Sequence, residues 1–281
     1  MNSVSRFLAV SAACAISPPV ALAAETGLVG TAGFQLKQLQ MEQTFEGFIN
    51  QTGDLSAVLP TLNVQLVGFY DQFYAGLKAE ANLATDEVSS DIPFTTEDTS
   101  LDTEVERSDY SFTLGYKPTE DLSLFGGYMS GETELTPGAV SCVDPNCPNT
   151  ASTMAADGFG TYRQTYQEEG FFFGGSYGWT LGPGRLSASL AYAMMDGEYS
   201  DNYRDVVGPR EFKYEGDSNG LSSALTWVAP LTESLTYYVD GRFQQYEMDA
   251  DDKSGVAIFA GSSVETVERI LGITAGVQMM F

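Results

Sequence analysis

The chain has 281 residues, with 38 acidic against 13 basic side chains, a formal net charge of −25 and no histidine. That balance argues against nucleic acid as a partner, which needs clustered Lys and Arg, and against simple attraction to anionic lipid heads. Aromatics make up 12% and there are 29 glycines, a composition that favours strands over helices.

Residues 1–23 read as a secretory signal peptide and 24–281 as the mature domain. Arg6 is the only charge in MNSVSR, FLAVSAACAI is an apolar run too short to span a bilayer, and Ala21-Leu22-Ala23 supplies a small-x-small cleavage pattern. The alternatives are a membrane anchor, which the short run disfavours, and lipoprotein processing at Cys14, which the better site downstream disfavours. After Ala23 no apolar run is long enough for a membrane helix. The mature chain is therefore a soluble secreted protein or a closed β-barrel.

Segments of about ten residues then alternate apolar and polar side chains, the period and length of a tilted membrane strand. Thr31–Gln40 carries Ala32, Phe34 and Leu36 on one face, and Thr61–Tyr70 carries Leu62, Val64 and Leu66. Phe73–Leu83 alternates without a break. Asp109–Lys117 carries Tyr110, Phe112, Leu114 and Tyr116, and Leu122–Ser130 follows. Gly170–Trp179 carries Phe171, Phe173 and Tyr177, and Arg185–Asp196 carries Leu186, Leu190, Tyr192 and Met194. Gly220–Ala229, Ser234–Tyr246 and Thr266–Phe281 complete the series, the last with Leu271, Ile273, Ala275, Val277 and Met279 on one face.

Short turns at Asp71-Gln72, Pro118–Asp121, Thr180–Gly184 and Pro230–Glu233 alternate with long stretches over 41–60, 84–108, 131–169, 197–219 and 247–265. The pattern predicts an all-β fold: a transmembrane antiparallel up-and-down β-barrel of ten strands, with short periplasmic turns and long extracellular loops. A soluble β-sandwich shares the period-2 alternation. It rarely ends its apolar stripes in aromatics such as Trp179, Tyr192, Trp227 and Tyr237, or sorts its connections so cleanly by length.

The segments GFFFGGSYGWTL, GRLSASLAYAMMDGEY, NGLSSALTWVAPLTESLTYYVDG and the terminal GITAGVQMMF resemble Gram-negative outer-membrane β-barrel proteins. The chain is similar to a family of small barrels over essentially its whole mature length. The resemblance implies residence in the bacterial cell outer membrane and contact with its lipids and lipopolysaccharide. It also implies assembly by the barrel-assembly machinery, with Phe281 as the assembly signal, and a monomer is expected. Outer-membrane enzymes such as the ten-stranded omptin proteases and the lipid A- and phospholipid-modifying barrels use a histidine, and this chain has none.

Ten strands enclose a narrow lumen, since about eight leave an interior just filled by side chains and open channels appear at about 16–18. The inward phase carries Lys37, Lys78, Glu80, Asp240 and Arg242. Lone buried charges are costly, so these are expected to pair as a polar core; a selective path for a small solute is the other reading. Gly174-Gly175-Ser176-Tyr177-Gly178 matches G-x-S-x-G, but within a predicted strand and with no histidine base. Small residues easing a curved sheet explain it better.

Cys142 and Cys147, in SCVDPNCPN, are expected to form a disulfide in an oxidising compartment, with zinc a weaker reading. Acidic residues crowd 84–106, and Asp249, Asp251 and Asp252 form a second group that could hold Ca²⁺ or Mg²⁺. DADDKSG departs from an EF-hand at Lys253 and Ala260, and a solvated acidic face is the better reading of the group. No cofactor is otherwise expected. The functional expectation is a non-catalytic structural or surface-interaction barrel, with a narrow channel or transporter for a small or hydrophobic solute as the alternative.

Overall fold

The computed structural model describes residues 26–47, 51–91, 99–142, 160–205, 208–254 and 261–281. The expected signal peptide lies outside them. The strands are β1 (Thr26–Glu46), β2 (Gln51–Tyr70), β3 (Phe73–Asn82), β4 (Asp86–Asp91), β5 (Thr99–Tyr116), β6 (Leu122–Cys142), β7 (Gly160–Leu181), β8 (Gly184–Asp205), β9 (Gly208–Pro230), β10 (Leu235–Asp252) and β11 (Ser263–Met280). Apart from β3 and β4, each pairs antiparallel with its neighbours in chain order. β4 continues along β5 beyond the end of β3, so the two short strands share one position in the ring.

The ring closes where β1 pairs β11 from Val29↔Met280 to Glu46↔Ser263. The result is a closed ten-stranded up-and-down barrel. Closure satisfies every backbone donor and acceptor inside hydrocarbon, where an open edge could not persist. At the short turns, Asp71 and Gly182 take positive φ values of 53° and 55°, the left-handed conformation that Asp and Gly tolerate.

The long-loop reading needs correction. Where loops were expected over 41–60 and 197–219, the strands run on, leaving only residues 47–50 between β1 and β2 and 206–207 between β8 and β9. The outward apolar stripe ends at Leu36, Val58, Tyr110, Phe171, Met194 and Leu271, and the next outward residues are Gln38, Ser56, Ser108, Glu169, Asp196 and Arg269. The hydrogen-bond ladder does not end there. A pattern keyed to lipid-facing hydrophobes stops at the bilayer edge, while the barrel wall continues with a polar outer face.

The strands paired through the whole barrel are 18 to 23 residues long. At ~3.3 Å per residue and a tilt of about 40° they reach roughly 45–60 Å, about twice the ~25 Å apolar band of a membrane barrel. Around that band, Phe34, Leu36, Leu62, Leu77, Phe112, Leu190 and Ile273 are all exposed. Tyr128 packs edge-on against Phe171, their ring centroids 5.3 Å apart, and Tyr177 against Trp179 at 5.2 Å. These aromatics lie towards the two rims, where their amphipathic rings suit the membrane interface.

Inside, large aromatics lie over glycines on the adjacent strand. Tyr74 faces Gly115, Phe172 faces Gly127, Tyr246 faces Gly220 and Tyr238 faces Gly276. A Cβ added at Gly127 would come within 2.8 Å of the Phe172 ring, and one at Gly115 would collide with Tyr74 Cζ. Each glycine is the hollow that lets a ring lie flat in a narrow lumen. Gly115→Ala should lower barrel stability by about 1–3 kcal/mol through overpacking, read as an earlier urea midpoint for loss of the compact, unheated gel band.

Candidate functional site: the charged lumen and the acidic rim

The inward residues of β10 run Tyr238, Asp240, Arg242, Gln244, Tyr246, Met248 and Ala250 from the periplasmic turn outward. They order the lumen into polar, charged and then aromatic layers. Near the periplasmic end, the Tyr238 hydroxyl donates to Asn63 Oδ1 at 2.9 Å, and the Tyr74 and Ser123 hydroxyls share a 2.8 Å hydrogen bond.

Above them is the charged layer. Lys37, 1% exposed, donates from Nζ to Glu80 Oε2 at 2.9 Å and to Asp109 Oδ2 at 2.6 Å. Lys78 also pairs with Glu80. Arg107 donates from Nε to Asp109 Oδ1 at 3.0 Å and from Nη1 to Thr133 Oγ1 at 2.8 Å and Glu268 Oε1 at 2.5 Å. Arg242 lies 3.4 Å from Asp240, which accepts from Thr226 Oγ1 at 2.7 Å.

Lys37, Lys78 and Glu80 thus lie in one ion-pair network, and Asp240 and Arg242 form a second pair. Multiple partners per charge are what an ionic core needs, since a single contact rarely offsets desolvation of both ions. Further out, Met41, Tyr166, Tyr199, Tyr214, Met248 and Val264 cluster as an aromatic and aliphatic plug, with Phe45 edge-on to Tyr199 at 5.8 Å.

The sequence reading missed Arg107, Asp109, Glu168 and Glu268. Glu268 had a usable signal, being in phase with inward Gly272 and Thr274 on β11. Arg107 and Glu168 lay just beyond the segments read as strands, and Asp109 was read only as a strand start.

The acidic residues sort by face. Glu169, Asp196, Asp217, Asp249 and Glu265 are successive cross-strand partners on β7 to β11. All five point outward on the polar part of the wall, in a row that starts next to the apolar belt at Glu169 and climbs away from it towards Glu265. Asp251 is also outward, whereas Asp252 faces the other way and accepts from the Ser254 backbone N–H at 2.8 Å. Asp249, Asp251 and Asp252 therefore do not converge. Among the described residues no three Asp, Glu, Cys or His side chains are gathered to hold a metal ion.

Lys213 bridges Glu198 and Glu215 at 2.9 Å each on the same outer face. Cys142 is the last residue of β6, and Cys147 and the expected disulfide lie outside the described residues. Ser176 is a buried mid-strand residue paired with Ser123 and Ser189, not the apex of a strand-to-helix elbow. Phe281 is 70% exposed, and its N–H donates to Leu28 O at 2.9 Å across the closing seam.

No family model and no curated protein matches the chain. Among solved structures it is similar to the outer membrane protease OmpT from Escherichia coli, at 14% identity and a TM-score of 0.61, with 91% of this chain and 97% of that one covered. Weaker likenesses are the Pseudomonas putida toluene transporter TodX (8% identity, TM-score 0.36, 94% and 92% covered) and the translocator domain of the autotransporter NalP from Neisseria meningitidis (10%, 0.40, 91% and 88%). At these identities the OmpT likeness speaks for the fold alone.

Closed ring, apolar girdle and polar extension together define a transmembrane β-barrel of the bacterial outer-membrane type. Its place is the outer membrane, with the girdle in lipid.

Proposed function

We propose that the protein is a closed outer-membrane barrel with a structural or surface-interaction role, and that its acidic outer face meets the lipopolysaccharide headgroup layer. The observation that carries this reading is the filled lumen. Buried ion pairs and an aromatic plug occupy the space that a solute path would need.

The acidic row supports the second half. Like charges directly opposite each other on adjacent strands are mutually destabilising. The row lies where phosphate-bound Ca²⁺ or Mg²⁺ would relieve that repulsion, as bridging ions between separate carboxylates and not as one chelated ion. The barrel should therefore unfold later when refolded with lipopolysaccharide and millimolar Mg²⁺ than in phospholipid alone, and Asp196→Asn/Asp217→Asn should remove much of the difference. Equal midpoints in the two membranes would contradict the surface reading.

The fold shared with OmpT supports a protease reading as well, whereas the lack of histidine argues for a non-catalytic barrel. Incubation with a mixed peptide pool separates them. Intact peptides are expected, and cleavage lost on heat denaturation would overturn the non-catalytic reading.

A further inference from the structure

In the charged layer around Lys37 and Arg107, the described residues carry one carboxylate more than the cations there neutralise. Lys37, Lys78, Arg107 and Arg242 are matched by Glu80, Asp109, Glu268 and Asp240, each of which lies in an ion pair. Glu168 is the fifth acid. It is 2% exposed and has no Lys or Arg within ion-pair distance among the described residues. Its Oε1 accepts from the Tyr166 hydroxyl at 2.6 Å and from the Ser218 hydroxyl. Both donors are neutral.

An ionised carboxylate buried without a cation is too costly to persist; such a group neutralises instead. The surroundings sharpen the point. Glu168 lies on β7 between outward Gln167 and Glu169, above the apolar belt. Facing the same part of the lumen are Ser218 from β9, Glu268 and Thr266 from β11, Arg107 and Asp109 from β5, Thr133 from β6, Tyr246 from β10 and Lys37 from β1. Arg107 is already shared between Asp109 and Glu268. Glu268 Oε2 and Thr266 Oγ1 are buried without a hydrogen-bond partner, so an acceptor without a donor sits in this layer.

We infer that the luminal pair Glu168 and Glu268 is a proton-binding site that takes up one proton as the pH falls below neutral, resident on Glu168. Burial, then the nearby Glu268 carboxylate, pushes Glu168 up from 4.5 to about 7, and burial raises Glu268 despite Arg107. Two coupled acids sharing one proton titrate as a pair. The proton leaves this charged layer neutral beneath the aromatic plug. Its loss places a second negative charge there with no new partner.

The folded state binds this proton more tightly than the unfolded chain. The site's contribution to stability is thus fully present below the unfolded carboxyl value of 4.5, and is lost as pH rises towards and through about 7.

Two readouts test the site on the full refolded barrel. Infrared spectroscopy should show a protonated-carboxyl band at about pH 6 that fades by about pH 9, because carboxyls with ordinary values are ionised throughout that range. The band should be absent in Glu168→Gln. No such band in the wild type, or one that survives in Glu168→Gln, overturns the assignment.

In parallel, the unfolding constant of the wild type relative to Glu168→Gln should rise with pH by up to about tenfold per unit between about pH 5 and 7, one proton's worth, and level off above. A ratio independent of pH contradicts the proposal. If Glu168→Gln fails to fold, the wild-type infrared titration decides by itself.

Discussion

Lys37→Met should cost about 3–5 kcal/mol of barrel stability, because removing one partner leaves the others buried and uncompensated. Lys37 is the only cation bonded to both Glu80 and Asp109 among the described residues, and at 1% exposure no water replaces it. Lys78 and Arg107 remain, but each then faces more carboxylate charge than it neutralises. Urea titration of the refolded protein, followed by loss of the compact gel band, measures the effect. Lys37→Met/Asp109→Asn removes the matching negative charge as well. That double variant should recover at least half of the lost stability. If it is no better than Lys37→Met alone, methylene packing and not charge balance explains the role of Lys37.

Tyr246→Ala carries the second large effect. Tyr246 is fully buried, lies over Gly220 on the neighbouring strand and accepts a hydrogen bond from Gln244. Deleting a buried aromatic ring costs about 3–5 kcal/mol, with the spread set by how far the site collapses. A narrow barrel wall cannot collapse inward without breaking its ladder, so the upper end of that range is expected. Gly220→Leu should be harmful alone, since its side chain would collide with the ring, but should partly restore Tyr246→Ala by filling the hollow. Additive losses in the double variant would show that the two positions do not share one space.

The lower barrel was legible because lipid imposes a rule. Nearly every outward residue within the bilayer is apolar, so Phe171, Phe173, Leu271 and Ile273 mark strand, phase and face together. Above the lipid that rule lapses. Glu42, Thr44 and Glu46 on β1 are as much strand residues as Phe34, yet they fall in the stretch 41–60 that reads as loop.

The lumen was half legible. Parity alone puts Lys37, Lys78, Glu80, Asp240 and Arg242 inside. Parity cannot say that Lys37 reaches β3 and β5 at the same time, because the strand tilt sets which levels meet across the barrel. Arg107 and Glu168 escaped because the strands containing them were cut short at the bilayer edge. The acidic row was hidden for a related reason: Glu169, Asp196, Asp217, Asp249 and Glu265 are scattered in sequence, and only the cross-strand register aligns them.

The central claim is that ion pairs and aromatic side chains close the lumen. Single-channel recording of the refolded barrel in a planar bilayer tests it most directly. The predicted record is flat, without discrete steps, for the wild type in symmetric salt at neutral pH. Reproducible conductance steps that change size when Lys37 or Arg242 is neutralised would show ions passing through this layer, and would contradict a closed barrel.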